Sequence, residues 1–295
     1  MLRSLHPDIQ DSHSDKNVNL SETNTASPLD GGADRDEFPL IGAGDPPPFE
    51  LYNENGTAPI LLVCDHASRE FPAAMHQLGL ADWVLDQHVA CDIGAELVTR
   101  HLADQLNAPA VLAGYSRLIV DLNRQLHHDS AFIKVSDGIA IPGNLDIGDD
   151  ERQQRIDSFF NPYHDEITRQ LEKFKARDIV PAFLSIHTCT PVFNNVVRHC
   201  QIGVMWDSDP RIPLPLMERL REVPDLEVGD NEPYSGRHPN DYTIDYHAER
   251  TGLPNVGIEV RQDLVNSPEG AEKWARILGD AFESVLEDPS IYTLA

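Results

Sequence analysis

An α/β fold, a three-layer sandwich whose mixed, mostly parallel sheet is flanked by helices, is predicted by two observations. From Ala58 onward, short Val-, Ile- and Leu-rich runs alternate with longer stretches in which apolar residues return at helical spacing. The short runs are apolar almost throughout, which implies a sheet covered on both faces.

In chain order, Pro59–Cys64 reads as the first strand. Ala95, Val98, Leu102 and Leu106 then share one helix face, followed by strands at Ala110–Ala113 and Leu118–Asp121. The Gly-, Pro- and Asp-rich segment His128–Asp150 reads as a long functional loop or lid. Ile156, Phe160, Tyr163, Ile167, Leu171 and Phe174 mark a second helix, with a kink expected at Pro162. Strands at Val180–Ile186, Ile202–Met205 and Val256–Val260 follow, and a last helix carries Trp274, Leu278 and Phe282. No internal repeat is present.

The 295 residues divide into a polar, acidic N-terminal tail over 1–45, read as disordered, and one catalytic domain over 46–295. Pro46, Pro47 and Pro48 form a stiff junction between them. A net charge of -26 repels phosphate backbones and anionic lipid, so neither nucleic acid nor a membrane surface is an expected partner. An anionic substrate would need a local arginine cluster. With no signal-peptide core and no run of about 20 apolar residues, the chain reads as cytoplasmic, a monomer or small homo-oligomer. Cys64, Cys91, Cys189 and Cys200 lack the spacing of a zinc knot or a disulfide scaffold and read as buried thiols.

Two apolar runs end in histidines, at Cys64-Asp65-His66 and Ser185-Ile186-His187. Strand ends are where α/β sheets build sites, and two such histidines can converge on one ion, although either alone is more often an ordinary satisfied or surface histidine. A catalytic zinc takes three protein ligands and keeps one position open. Asp92 and Glu70 are the two carboxylates that can complete the set; Asp92 is otherwise a helix N-terminal acid and Glu70 a solvated charge. Glu259, inside the apolar strand Val256–Val260, is costly to bury unless it works as a proton acceptor or pairs as a structural ion. Arg117, Asn123 and Arg124 supply the expected cationic cluster for a substrate carboxylate, with an Arg117–Asp121 bridge as the structural alternative.

The segments CDHAS, CDIGAELV, YSRLIVDLNR, SIHTCTP, NEPYSG and GIEVRQDL, in this order from about Ala58 to Leu264, resemble the N-formylglutamate amidohydrolase family. The resemblance implies a phosphorylase/hydrolase-like sandwich akin to zinc carboxypeptidases, one zinc ion, and hydrolysis of N-formyl-L-glutamate to formate and glutamate in histidine degradation. It makes His66 and His187 zinc ligands, Glu259 the general base and acid, and Asn123 with Arg124 the clamp for the substrate carboxylate. The carboxypeptidase H-x-x-E pattern is not met, since Arg69 stands where its glutamate would be, and the resemblance favours Asp92 over Glu70 as third ligand because family members place an aspartate at that position. Arg117 or Arg261 is then available to the tetrahedral oxyanion, and His164 and His247 are either substrate contacts or satisfied structural histidines.

Three other functions stand beside this one, the first with the same residues. A zinc deacylase or carboxypeptidase-like peptidase would act on another N-acyl amino acid or an acidic peptide, its pocket walls formed by the loops Asp129–Asp150 and Glu232–Tyr246. A silent metal-binding protein would carry a degenerate site. A cysteine hydrolase would use Cys189 beside His187.

Overall fold

The computed structural model describes residues 40–193 and 195–295. Its strands are β1 (Phe49–Tyr52), β2 (Ile60–Cys64), β3 (Ala110–Ala113), β4 (Val135–Ser136), β5 (Ile139–Ala140), β6 (Ala182–Cys189), β7 (Val192–Phe193), β8 (Val196–Val197), β9 (Ile202–Met205), β10 (Val228–Asp230) and β11 (Asn255–Arg261). Its α-helices are α1 (Asp82–Leu85), α2 (Ala95–Gln105), α3 (Asp149–Arg155), α4 (Asn161–Lys175), α5 (Pro213–Arg221), α6 (Thr243–His247) and α7 (Pro268–Leu286). A seven-stranded sheet runs in the order β1-β3-β2-β6-β11-β9-β10, and β4-β5 and β7-β8 are separate hairpins. The central strands β3, β2, β6 and β11 are parallel, whereas β1 and β9 run antiparallel to their inner neighbours.

Side-chain alternation builds the three layers. Ile60, Leu62 and Cys64 of β2 join Leu184 and Ile186 of β6 and Val256, Ile258 and Val260 of β11 in a core covered by α2, α5 and α7. Leu61, Val63 and Phe183 face the opposite core, packed under Phe159, Phe160, Tyr163, Ile167 and Phe174. Both faces are therefore apolar, which is why the strands read as unbroken hydrophobic runs. Helix α7 starts where the Ser267 hydroxyl accepts the Gly270 N–H and Pro268 fills the first turn, and it buries Trp274, Leu278 and Phe282 along one stripe.

Several boundaries differ from expectation. Leu118–Asp121 is not a strand. Leu118 and Ile119 are buried, but their carbonyls accept from Asn144 Nδ2 (2.8 Å) and Arg155 Nη1 (3.1 Å) rather than from a neighbouring strand. Side-chain donors thus replace a ladder that hydrophobicity alone cannot distinguish. The strand expected at Val180–Ile186 begins after Pro181 and runs on to Cys189, placing His187 inside the strand.

The expected kink at Pro162 is a π-bulge over Ile156–Phe160, where Asn161 N–H donates five residues back to Ile156. Pro162 lies in the first turn of α4, where its missing N–H costs little. The segment 128–150 is largely structured, by the β4-β5 hairpin and two 3₁₀ turns. Half-exposed Phe49–Tyr52 and short Val228–Asp230 add edge strands that carry too little apolar signal to be read. The tail expected to be disordered falls mainly on 1–39, outside the described residues. Ile41, assigned to that tail by composition, is buried in the α4-side core. Among the described residues no helix is long and apolar enough to cross a membrane.

Candidate functional site

Period-2 alternation and parallel register bring the site together. On β6, Phe183, Ser185 and His187 share a face, and on β11 so do Gly257, Glu259 and Arg261. Parallel pairing sets Glu259 beside His187. His66 follows the C-terminal end of β2, two strands away from β11 at the same edge of the sheet. Asp92 comes from the turn before α2, held by Asp92 N–H donating to His66 O (3.0 Å) and Ala95 N–H to Asp92 O (3.0 Å). Gly94 makes that turn possible. Its φ is +83°, and a Cβ there would lie 2.2 Å from the Val265 carbonyl oxygen.

His66, Asp92 and His187 are all buried, and their ligand atoms lie within 4.8 Å of one another. The Nδ1 atoms of His66 and His187 are 3.3 and 2.9 Å from Asp92 Oδ2. The far side of each ring faces another carboxylate. His66 Nε2 is 2.8 Å from Asp121 Oδ1, and His187 Nε2 is 3.0 Å from Ser185 Oγ and 3.3 Å from Asp65 Oδ2. Asp65 is itself anchored by the Tyr163 hydroxyl at 2.8 Å.

A carboxylate behind Nε2 keeps the proton there, so each Nδ1 presents a lone pair toward Asp92. Two lone pairs and a carboxylate converging in a buried space require a cation between them or protonation of the rings. The pKa directions express the same demand. Burial pushes the His66 imidazole down, as does Arg117, yet Asp121 and Asp92 leave it raised. Burial likewise pushes His187 down, but its bonds to Asp65 and Asp92 leave it well above 6.5. Asp92, pushed up by burial, is held below the usual carboxylate range by the two histidines. The donor set and its outer carboxylates fit a divalent metal.

Glu259 completes the arrangement. Its Oε2 is buried with no hydrogen-bond partner among the described residues. Burial raises its pKa to about 7, with Asp92 adding to the shift against His187, Arg198 and His66. The cluster lies at the floor of a cavity of about 420 Å³, walled by Arg117, Asn123, Arg124, Tyr234 and Asp241.

The N-formylglutamate amidohydrolase family model matches residues 58–266, the whole span from β2 to the turn before α7. The chain belongs to the N-formylglutamate amidohydrolase family. Among solved structures, the gene product Atu2144 from Agrobacterium tumefaciens superposes with a TM-score of 0.81 at 31% identity, covering 84% of this chain and 98% of its own. The N-formylglutamate amidohydrolase from Ralstonia eutropha JMP134, at 19% identity, shares the fold with a TM-score of 0.54, covering 81% of this chain and 97% of its own. Comparison with curated proteins gave no match.

In this amidohydrolase, most residues singled out from sequence line the cavity, but several are already engaged. Arg117 donates from Nη2 and Nε to Asp121 Oδ2 (2.6 and 3.1 Å) and from Nη1 to Asp92 Oδ1 (3.4 Å). Asn123 Oδ1 accepts the Tyr242 and Thr243 N–H groups at the start of α6 (3.0 and 2.9 Å), leaving its Nδ2 without a partner among the described residues. Arg124 Nη1 donates to Asp241 Oδ1 at 2.5 Å. Arg261 is not brought into the cavity: it pairs with Asp263 and donates to the backbone carbonyls of Arg198 and His199.

Glu70 is exposed and outside the cluster, which brings Asp92 to the third position. His164 and His247 pair with each other behind the site (3.0 Å), and His164 Nε2 donates to Leu122 O (2.9 Å). Neither lines the metal-site cavity. Cys189 lines the cavity, but burial and Glu259 push its thiol up to about 12, unlike a nucleophilic thiolate.

Asp65, and Asp121 as the partner of His66, went unread as site residues in the sequence. Their work is done across strand ends, with no spacing to announce it. Tyr234 sits in NEPYSG, a segment that carried the resemblance but offered no chemical role by itself.

Proposed function

We propose that this chain is a zinc-dependent hydrolase that cleaves N-formyl-L-glutamate to formate and L-glutamate. The observation that carries the reading is the convergence of two Nδ1 lone pairs and the Asp92 carboxylate beside an unpartnered, buried Glu259. His66, Asp92 and His187 would hold the ion. When bound, it supplies Lewis acidity, lowering the pKa of water toward about 7 and polarising the formyl carbonyl.

The chain's own residues do the rest. Glu259 takes a proton from the attacking water as the C–O bond forms and the carbonyl oxygen becomes an oxyanion, then returns it to the amine nitrogen as the carbonyl re-forms and the C–N bond breaks. Arg117, fixed by Asp121 and Asp92 at the cavity wall, brings positive charge to the developing oxyanion. Asn123 Nδ2 and the free edge of Arg124 face the substrate carboxylate. The acidic N-acyl amino acid is the small-molecule partner, and we assign the enzyme to the cytoplasm and to histidine degradation.

The test is metal analysis of the purified protein, then formate release from a panel of N-formyl amino acids with and without chelator. Activity that survives complete metal removal rules out the zinc reading. Turnover of neutral N-formyl amino acids in preference to N-formylglutamate rules out the substrate.

A further inference from the structure

Cleavage of a dicarboxylate needs cationic groups, and the arginines in and beside the cavity differ in what they have left to give. Arg117 is fixed by Asp121 and Asp92 toward the reacting centre, and one arm of Arg124 is taken by Asp241. Arg198 has no carboxylate partner among the described residues. Its guanidinium lies 4.5 Å from the Tyr234 ring centroid and 5.4 Å from that of Phe193, and Nη2 donates to the Tyr234 hydroxyl at 2.6 Å. It also touches the Cys189 thiol, a weak acceptor that stays protonated. Nη1 is buried and has no hydrogen-bond partner among the described residues.

A buried guanidinium N–H without an acceptor is costly, and planar guanidinium is the group best matched to a carboxylate. Cys189, Phe193 and Tyr234, which surround Arg198, all line the metal-site cavity, as does Glu259, which lies close enough to feel its charge. Arg198 itself lies behind this wall rather than among the residues that line the cavity, and its buried Nη1 is left to pair with an acceptor entering between them. The position is also held firmly. Arg198 N–H donates to Pro191 O (2.9 Å), closing the β7-β8 hairpin, and its carbonyl accepts from Arg261 Nη1 (3.1 Å). Arg261, unused at the site itself, thus positions the strand end that presents Arg198.

We propose that Arg198, clamped by Tyr234, binds the second carboxylate of the substrate, and so sets the preference for an acidic over a neutral acyl amino acid. The first carboxylate goes to Asn123 and Arg124. The proposal rests on the amidohydrolase reading for its substrate, but not for its binding chemistry, which any dicarboxylate of glutamate length satisfies. Tyr234, kept a neutral phenol chiefly by burial, has its O–H proton free to add a second hydrogen bond to the same carboxylate.

The experiment compares the metal-loaded parent with R198Q, R198K and Y234F. Kinetics on N-formyl-L-glutamate and N-formyl-L-glutamine run beside calorimetric binding of glutarate and of its monoamide. The ratio of kcat/KM for the acidic over the neutral substrate should fall about 10–100-fold in R198Q, mostly through KM, and less in R198K and Y234F. Glutarate should lose affinity by a similar factor relative to its monoamide. An unchanged ratio in R198Q, with both substrates slowed alike, would overturn the proposal and make Arg198 a modulator of Glu259. If the parent hydrolyses no N-formyl amino acid, the amidohydrolase reading fails separately. The glutarate arm then still decides: equal glutarate binding by parent and R198K, Y234F and R198Q sinks the carboxylate site, and selective loss supports it.

Discussion

Asp121→Asn isolates what the outer carboxylates do, because it leaves every proposed metal ligand in place. Asp121 Oδ1 receives His66 Nε2–H at 2.8 Å and Asn123 N–H at 3.0 Å, while Oδ2 receives two Arg117 N–H groups. An amide of the same size offers only one acceptor oxygen. Its NH2 must then face either the imidazole N–H or the guanidinium, a contact between donors. Facing the ring, it favours the tautomer with the proton on Nδ1, which blocks the lone pair needed toward Asp92. Loss of such a partner typically weakens metal binding 10–100-fold, about 1.4–2.7 kcal/mol. His66→Ala removes the ligand itself and should cost far more. Competition with a chromophoric chelator measures both constants, and imidazole ¹⁵N shifts in the metal-free protein report the tautomer. Affinity within twofold of the parent, or a loss as large as that of His66→Ala, would refute the positioning role.

Three further outcomes follow from the same geometry. Glu259→Gln keeps size but removes the proton acceptor, so kcat should fall about a hundredfold or more with metal still bound; near-parent turnover by stopped formate assay would exclude Glu259 as the base. Arg155, fully buried, donates to Ile119 O, Gly143 O and Asn144 Oδ1, so Arg155→Ala should cost about 3–5 kcal/mol in urea unfolding, and a loss under about 1 kcal/mol would show that these acceptors find other donors. Burial holds His164 at about 4 and His247 at about 3, below the free value near 6.5. The unfolded chain therefore takes up these protons first, and stability is intact above pH 6.5 and lost as pH falls toward 4, by on the order of 3 kcal/mol for His164. A His164→Gln/His247→Gln double variant should flatten that stretch of the pH profile; an unaltered slope would assign it to other groups.

The fold was legible where hydrophobicity decides the structure. β2, β3, β9 and β11 are buried runs on both faces, and α2 and α7 carry clean apolar stripes. Legibility failed at Leu118–Asp121, where an equally apolar run is tied down by Asn144 and Arg155, residues 26 and 36 positions away from the carbonyls they satisfy. It failed again at Phe49–Tyr52, an edge strand that needs only one covered face.

The site divides along the same line. His66, His187 and Glu259 stand out because a polar side chain at the end of, or within, a buried strand must be explained by a partner. Asp65 and Asp121 do not, because an acid beside a histidine or an arginine looks like any surface pair until the fold buries it. Burial is what turns these ordinary carboxylates into determinants of chemistry. With Asp121 behind His66, and Asp65 and Ser185 behind His187, both rings must offer Nδ1 inward, and parallel pairing sets Glu259 at the register position beside one of them. Asp92 is then the acid that belongs between the rings, since Gly94 lets its turn approach Val265 while Glu70 lies on an exposed loop. In the proposed metal site, cation binding is therefore expected to depend on the outer carboxylates as much as on the three inner groups, which is why their removal, and not only removal of a ligand, is the sharper test.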